Sequence, residues 1–106
     1  MASVLGQAAA DKSSFGVRIQ TPESIVWEGA ARSISTENSA GRFDILPQHA
    51  NMITIIEGHP IEIVTMYGNR KFVFEKAVLV VKDNAVSVYA NISAEKTGSE
   101  NPRQIK

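Results

Sequence analysis

Asp44 and His49 are the two side chains in this 106-residue chain that first invite a chemical reading. A carboxylate can orient an imidazole as a general base, and a base in reach can activate a nucleophile. The two lie five positions apart across Pro47, and a lone Asp, His or Ser in a strand-rich chain does not supply that geometry. They read as a turn histidine beside a strand-edge carboxylate. His49 and His59 would need at least one further ligand to hold a metal, and there is no cysteine and no matching histidine pair. Gly29, Gly41 and Gly58 are isolated and none opens a helix, which excludes a phosphate-cradling loop. Trp27 with Tyr67 or Tyr89 could form a stacking platform for a glycan or peptide, but a single tryptophan inside an apolar strand reads as core or rim. No catalytic residue, metal ligand or cofactor is expected. What remains is the run Met52 to Ile56, five consecutive apolar or β-branched residues, which exposes one apolar face unless both sides are covered and so marks a partner-facing patch.

The elements that position these residues are short strands. Phe15, Val17 and Ile19 alternate with Gly16, Arg18 and Gln20, the period of a half-buried strand. Thr21-Pro22-Glu23 breaks it, since proline cannot donate to a ladder. Ile25 to Trp27 resumes an apolar strand, Gly29 permits a bend, and Ala30 to Thr36 is a weak strand carried by Ile34. Glu37 to Gly41 reads as a loop by composition. Arg42 to Leu46 is a strand with Phe43 and Ile45 inward, stopped by Pro47, and Met52 to Ile56 is another. Ile61 to Met66 and Lys71 to Glu75 flank Tyr67 to Arg70, where Gly68-Asn69 can supply the positive φ angles of a tight hairpin. Ala77 to Lys82 and Ala85 to Tyr89 are joined by Asp83-Asn84 in the same way. Eight or nine short strands at this spacing predict an all-β sandwich or barrel.

The length fits one domain. Residues 1–14 read as a flexible N-terminal arm, 15–93 as the folded domain, and 94–106 as a flexible tail. Eleven basic and eleven acidic residues cancel, so no net field draws nucleic acid or an anionic membrane. No run approaches the roughly 18 apolar residues of a membrane span. The lack of cysteine suits a reducing compartment.

The order of the pieces is specific: a first strand, Thr21-Pro22-Glu23, Val26-Trp27-Glu28-Gly29, then Gly41-x-Phe43-x-Ile45-Leu46-Pro47-x-His49-Ala50, then Lys82-Asp83-Asn84-x-Val86-x-Val88. From about Phe15 to Ala90 the chain resembles the N-terminal β-sandwich domain of the epsilon subunit of F-type ATP synthase, called delta in mitochondria. The resemblance implies a ten-stranded sandwich of two antiparallel sheets. It also implies a non-catalytic part of the rotary central stalk, docked on the gamma subunit and the c-ring, that couples proton or sodium flow to ATP synthesis. Its place would be peripheral, on the cytoplasmic face of a bacterial inner membrane or the matrix or stroma side of an organelle.

Carried over position by position, the resemblance makes Thr21, His49 and Thr54 gamma-contact candidates, with Met52 and Ile53 as apolar neighbours. The segment Glu37, Asn38, Ser39, Ala40, Gly41 and Arg42 matches the part that faces the c-ring. The chain also departs from the pattern. Asp44 stands where the family usually has glycine, Arg42 replaces a frequent acid, and Lys76-Ala77 replaces a Gly-Gly before the last hairpin. Nothing after Ser93 has the apolar spacing of the family's C-terminal helical hairpin, so that hairpin and its regulatory role are not expected. These departures keep open a free-standing adaptor with the same fold and changed partners. A small hydrolase or lectin on the same sandwich is a third reading.

Overall fold

The computed structural model describes residues 13–91. Apart from Ser13 and Ser14, the arm and tail expected from sequence lie outside the described residues. Nine strands follow in order: β1 (Phe15–Gln20), β2 (Ile25–Ala31), β3 (Ser33–Asn38), β4 (Gly41–Ile45), β5 (Met52–Ile56), β6 (Ile61–Thr65), β7 (Gly68–Phe72), β8 (Ala77–Lys82) and β9 (Ala85–Ala90). They form a five-stranded sheet, β2-β1-β9-β8-β5, and a four-stranded sheet, β4-β3-β6-β7. The all-β sandwich expected from the alternation is therefore present, with nine strands among the described residues where the resemblance implied ten.

Period-two alternation builds the core directly. Phe15, Val17 and Ile19 of β1 are buried, as are Leu79 of β8 and Val86 and Val88 of β9. The facing sheet contributes Ile34, Ile45, Ile61 and Ile63, each with no measurable exposure. Truncating one of these isoleucines to alanine would cost about 2–5 kcal/mol, because a dense core collapses only partly into the void.

Three expectations need correction. The larger sheet is mixed, since β1 pairs parallel with β9, Gly16 opposite Ala85 through Gln20 opposite Tyr89. Alternation reports which residues share a face and is blind to strand direction, and here nearly the whole domain serves as the crossover a parallel pair requires. Gly29 does not bend the chain: β2 runs straight through it, and the turn into the second sheet falls at Arg32, whose N–H donates to Val64 O at 2.7 Å. A Cβ on Gly29 would lie 2.7 Å from Cζ2 of Trp27, so this glycine leaves room for the indole, which packs against the core and leans on Phe72 at 6.3 Å. The β6–β7 turn sits at Met66-Tyr67, two positions earlier than expected from Gly68-Asn69. Gly68 takes φ 130° as the first residue of β7, while Thr65 Oγ1 accepts from Tyr67 N–H and donates to Gly68 O.

Other features fall where the residue types put them. Asp83 and Asn84 both have positive φ, 52° and 62°, as the two-residue hairpin requires. The bend at Lys76-Ala77 needs no left-handed residue and is tied by Asn91 N–H to Lys76 O at 2.8 Å.

Among the described residues, one buried side-chain oxygen in the core is unsatisfied. Thr36 is fully buried, and its Oγ1 has no hydrogen-bond partner. A buried hydroxyl without a partner carries its desolvation penalty uncompensated. Thr36→Val should therefore raise stability by roughly 1 kcal/mol, read as a higher urea midpoint at unchanged m-value. Gly29→Ala should lower it by about 1–3 kcal/mol, because the indole must shift, with a change in Trp27 fluorescence as the local signature.

Candidate docking surface

Alternation along β5 sends Ile53 and Ile55 outward, 73% and 51% exposed, and turns Met52, Thr54 and Ile56 inward. Cross-strand register extends that outward set. Ile53 sits opposite Val80, which sits opposite Ser87, while Ile55 sits opposite Val78, which sits opposite Tyr89. The outer face of the larger sheet thus carries a contiguous apolar patch of Ile53, Ile55, Val78, Val80 and Tyr89. Its far side is closed by the Arg18–Glu28 pair, in which Nε and Nη2 donate to one carboxylate oxygen at 3.1 and 2.8 Å.

The outer face of the smaller sheet is chemically opposite. Arg42 and Asp44 of β4, Ser35 and Glu37 of β3, Glu62 of β6 and Asn69 and Lys71 of β7 point outward. Lys71 meets Glu62 and His59 meets Glu37, each at 3.7 Å. Ser35, Glu62, Val64, Asn69 and Lys71 line an open hollow, a surface that water satisfies.

The strand edges repeat this contrast. An open edge presents unpaired N–H and C=O groups, and proteins usually blunt it with charge, bulges or corners. Edge strand β4 carries Arg42 and Asp44, and β7 carries Arg70 and Lys71. Strand β2 carries Glu28, a register shift against β1 and the corner at Arg32. Strand β5 reads Met-Ile-Thr-Ile-Ile and has no charge at all. Among the described edges it is the one left suited to pairing.

The sequence candidates are spread around this surface. Ile53 is on the patch. Met52 packs against the core behind it, and Thr54 Oγ1 accepts from Asn38 Nδ2 at 2.9 Å, joining β5 to the β3–β4 hairpin. Thr21 closes the β1–β2 turn, its hydroxyl accepting from the N–H groups of Glu23 and Ser24. His49 lies in the β4–β5 connection, at the opposite end of the larger sheet from Thr21, with Nδ1 2.7 Å from Ala50 O.

The 37–42 segment is a hairpin rather than a loose loop. Glu37 and Asn38 complete β3, Ser39 and Ala40 form the exposed turn, and Gly41 and Arg42 begin β4. Asn38 Oδ1 accepts from Ala40 N–H at 2.9 Å, so one amide both closes the turn and reaches β5.

Sequence reasoning included Ile55 in the apolar run Met52 to Ile56 but missed Val78 and Val80, and considered Tyr89 only as part of a stacking platform. The signal was available in Ala77 to Val81, where apolar residues occupy both faces of a strand. In a sheet of this kind that pattern means cover on both sides. Aromatic stacking as a ligand platform fails on geometry: Trp27 faces inward against Phe72, Tyr89 faces outward, and Tyr67 stands almost fully exposed on the β6–β7 turn. Asp44 faces solvent from β4, and among the described residues no three His, Cys, Asp or Glu side chains gather as a metal site would need.

Fold and surface together define a β-sandwich with an apolar patch on one outer face and a charged, polar surface on the other. The family model described as ATP synthase, Delta/Epsilon chain, beta-sandwich domain matches residues 14–96, and the chain belongs to that family. The ATP synthase epsilon chain of Endomicrobium trichonymphae is 32% identical over 80 residues, covering 76% of this chain and 58% of the relative. The chain therefore spans under two thirds of that relative's length. Among solved structures, a chain of the Euglena gracilis mitochondrial ATP synthase superposes with a TM-score of 0.68 at 14% identity, over 79% of this chain and 59% of that one. A chain from the central stalk and c-ring of the Tetrahymena thermophila mitochondrial ATP synthase gives 0.61 at 12% identity, over 86% and 78%. At such identities the likeness speaks for the fold.

The Asn38–Thr54 bond makes a local prediction. Thr54→Val should cost about 1 kcal/mol and speed amide exchange at Ala40, across the sandwich from the substitution. Faster exchange confined to β5 would mean that this bond does not hold the hairpin.

Proposed function

We propose that this chain is the docking module of an ATP synthase central stalk, a part that catalyses nothing and seats its larger sheet on a gamma subunit. The observation that carries this reading is the asymmetry of the sandwich. One outer face carries an apolar patch that ends in an uncharged edge, and the other is charged and polar. A chain needing only solubility has no reason to keep Ile53, Ile55, Val78 and Val80 on a solvent face. Membership of the ATP synthase delta/epsilon family supports a partner within that complex.

On this reading Ile53, Ile55 and the β5 edge form the centre of the gamma contact. Thr21 and the His49 connection contribute from its two ends. The β3–β4 hairpin, Glu37 to Arg42, is directed at the c-ring loops, and the location is peripheral, on the face of the membrane where the catalytic sector sits. A second reading, an adaptor with changed partners, draws on Arg42 and Asp44, both exposed on this hairpin. A ring that presents basic loops would repel Arg42 and favour it.

Ile53→Asp tests the main reading. Because the side chain is mostly exposed, the variant should fold with a stability change within about 0.5 kcal/mol. A carboxylate buried unpaired in an apolar contact should weaken gamma binding about 100-fold or more by isothermal titration. Lys71→Ala, on the charged face, should leave affinity unchanged. Equal affinity for wild type and Ile53→Asp would sink the proposed face, and no binding of the wild-type chain at micromolar gamma would sink the reading as a whole.

A further inference from the structure

The tip of the β8–β9 hairpin holds an arrangement that a plain turn does not need. Asn84 is the second central residue of a two-residue turn, a position where glycine is the usual choice because φ is positive. Such tips normally stand in water, yet Asn84 is only 8% exposed. Its Oδ1 accepts from Gln48 N–H at 2.7 Å, and its Nδ2 donates to Ser14 O at 2.9 Å. One side chain thus joins segments 36 and 70 positions away. Beside it, Asp83 N–H donates to Asn51 Oδ1 at 2.9 Å.

Gln48 and Asn51 bracket His49. The chain from Leu46 to His49 makes a turn closed by His49 N–H to Leu46 O at 3.1 Å, with Gln48 at φ 67°. In that turn the Gln48 N–H points away from the closing bond and finds its partner in Asn84. The turn is therefore fixed at both sides of His49 by the neighbouring hairpin tip. Glycine could supply the φ angle but no bonds, and aspartate could accept from Gln48 but could not donate to Ser14 O. Asparagine is the residue that meets all three demands.

We propose that Asn84 is a positioning residue for docking: it sets the orientation of the Leu46–Asn51 connection, and hence of His49, for the partner subunit. The inference rests on the reading above, in which that connection borders the gamma contact. It adds that a nearly buried residue placed in a different hairpin controls how the connection is presented.

The test uses the full chain and its cognate gamma subunit. Asn84→Gly keeps the turn and removes both side-chain bonds, and Asn84→Asp keeps the acceptor for Gln48. Amide exchange of Gln48 should rise sharply in Asn84→Gly and stay close to wild type in Asn84→Asp. Unchanged exchange in Asn84→Gly would overturn the positioning role. In binding, Asn84→Gly and His49→Ala should each weaken affinity about tenfold, and the double variant should be scarcely weaker than either single one. Additive losses would overturn the proposal, because Asn84 would then act independently of His49. If His49→Ala binds like wild type while Ile53→Asp does not, the connection is no part of the contact, and the proposal fails with the docking face intact.

Discussion

Two sheets stacked face to face bury one side of every strand and leave, among the described residues, four open edges, each a row of backbone groups without strand partners. The chain resolves that constraint unevenly. Three edges are protected by charge, by a register shift or by the corner at Arg32, and β5 has none of these devices. Because Ile53 and Ile55 project from the same strand, the unprotected edge and the apolar outer face meet along one line. An isolated monomer would gain from breaking up such a line with a lysine or a proline. Keeping it is consistent with the proposed docking, in which another chain covers it.

The same strand is also anchored from behind. Thr54 turns inward and accepts from Asn38, while Met52 and Ile56 enter the core. Strand β5 is therefore held on its inner face and free on its outer one. If the chain docks as proposed, that arrangement suits it, since a contact strand that frayed would weaken the contact. The Thr36 hydroxyl, buried on β3 without a partner, runs the other way and lowers stability for no contact that is visible in the fold.

Most of the fold was legible because its signals are local. Alternation in Phe15 to Gln20, the stop at Pro47 and the left-handed pair Asp83-Asn84 each act within a few residues of chain. What was not legible depends on distance. The parallel pairing of β1 with β9 joins positions some 69 apart, as Gly16 with Ala85, and leaves no trace in either strand's pattern. Gly29 looked like a bend because its reason for being glycine, the Trp27 ring lying against it, is a packing fact. The candidate site divides in the same way. Thr54 came from the resemblance with Met52 and Ile53 as its neighbours, and which alternate set of β5 faces outward, separating Ile53 from the other two, is fixed only by the packing of the sheets. Val78, Val80 and Tyr89 join the patch through ladder partners, which a single strand cannot reveal.

The placement of Thr21 and His49 at opposite ends of the larger sheet bears on how much surface docking must use. Five strands at about 4.8 Å spacing and six residues at about 3.3 Å give an outer face of roughly 20 by 24 Å, or about 480 Å². Part of that is spent on Arg18, Glu28, Gln20 and Ser87, which are polar. A stable interface buries about 800 Å² on each partner. The sheet face alone falls short of that figure, so a partner seated on it must also meet surface beyond its ends and over its β5 edge. Surface beyond those ends is what the Thr21 turn and the His49 connection provide. On the proposed docking, candidates that look scattered when judged as a single patch become the additions that a face of this size would require. It follows that the rigidity of the two end connections matters as much to affinity as the apolar centre does.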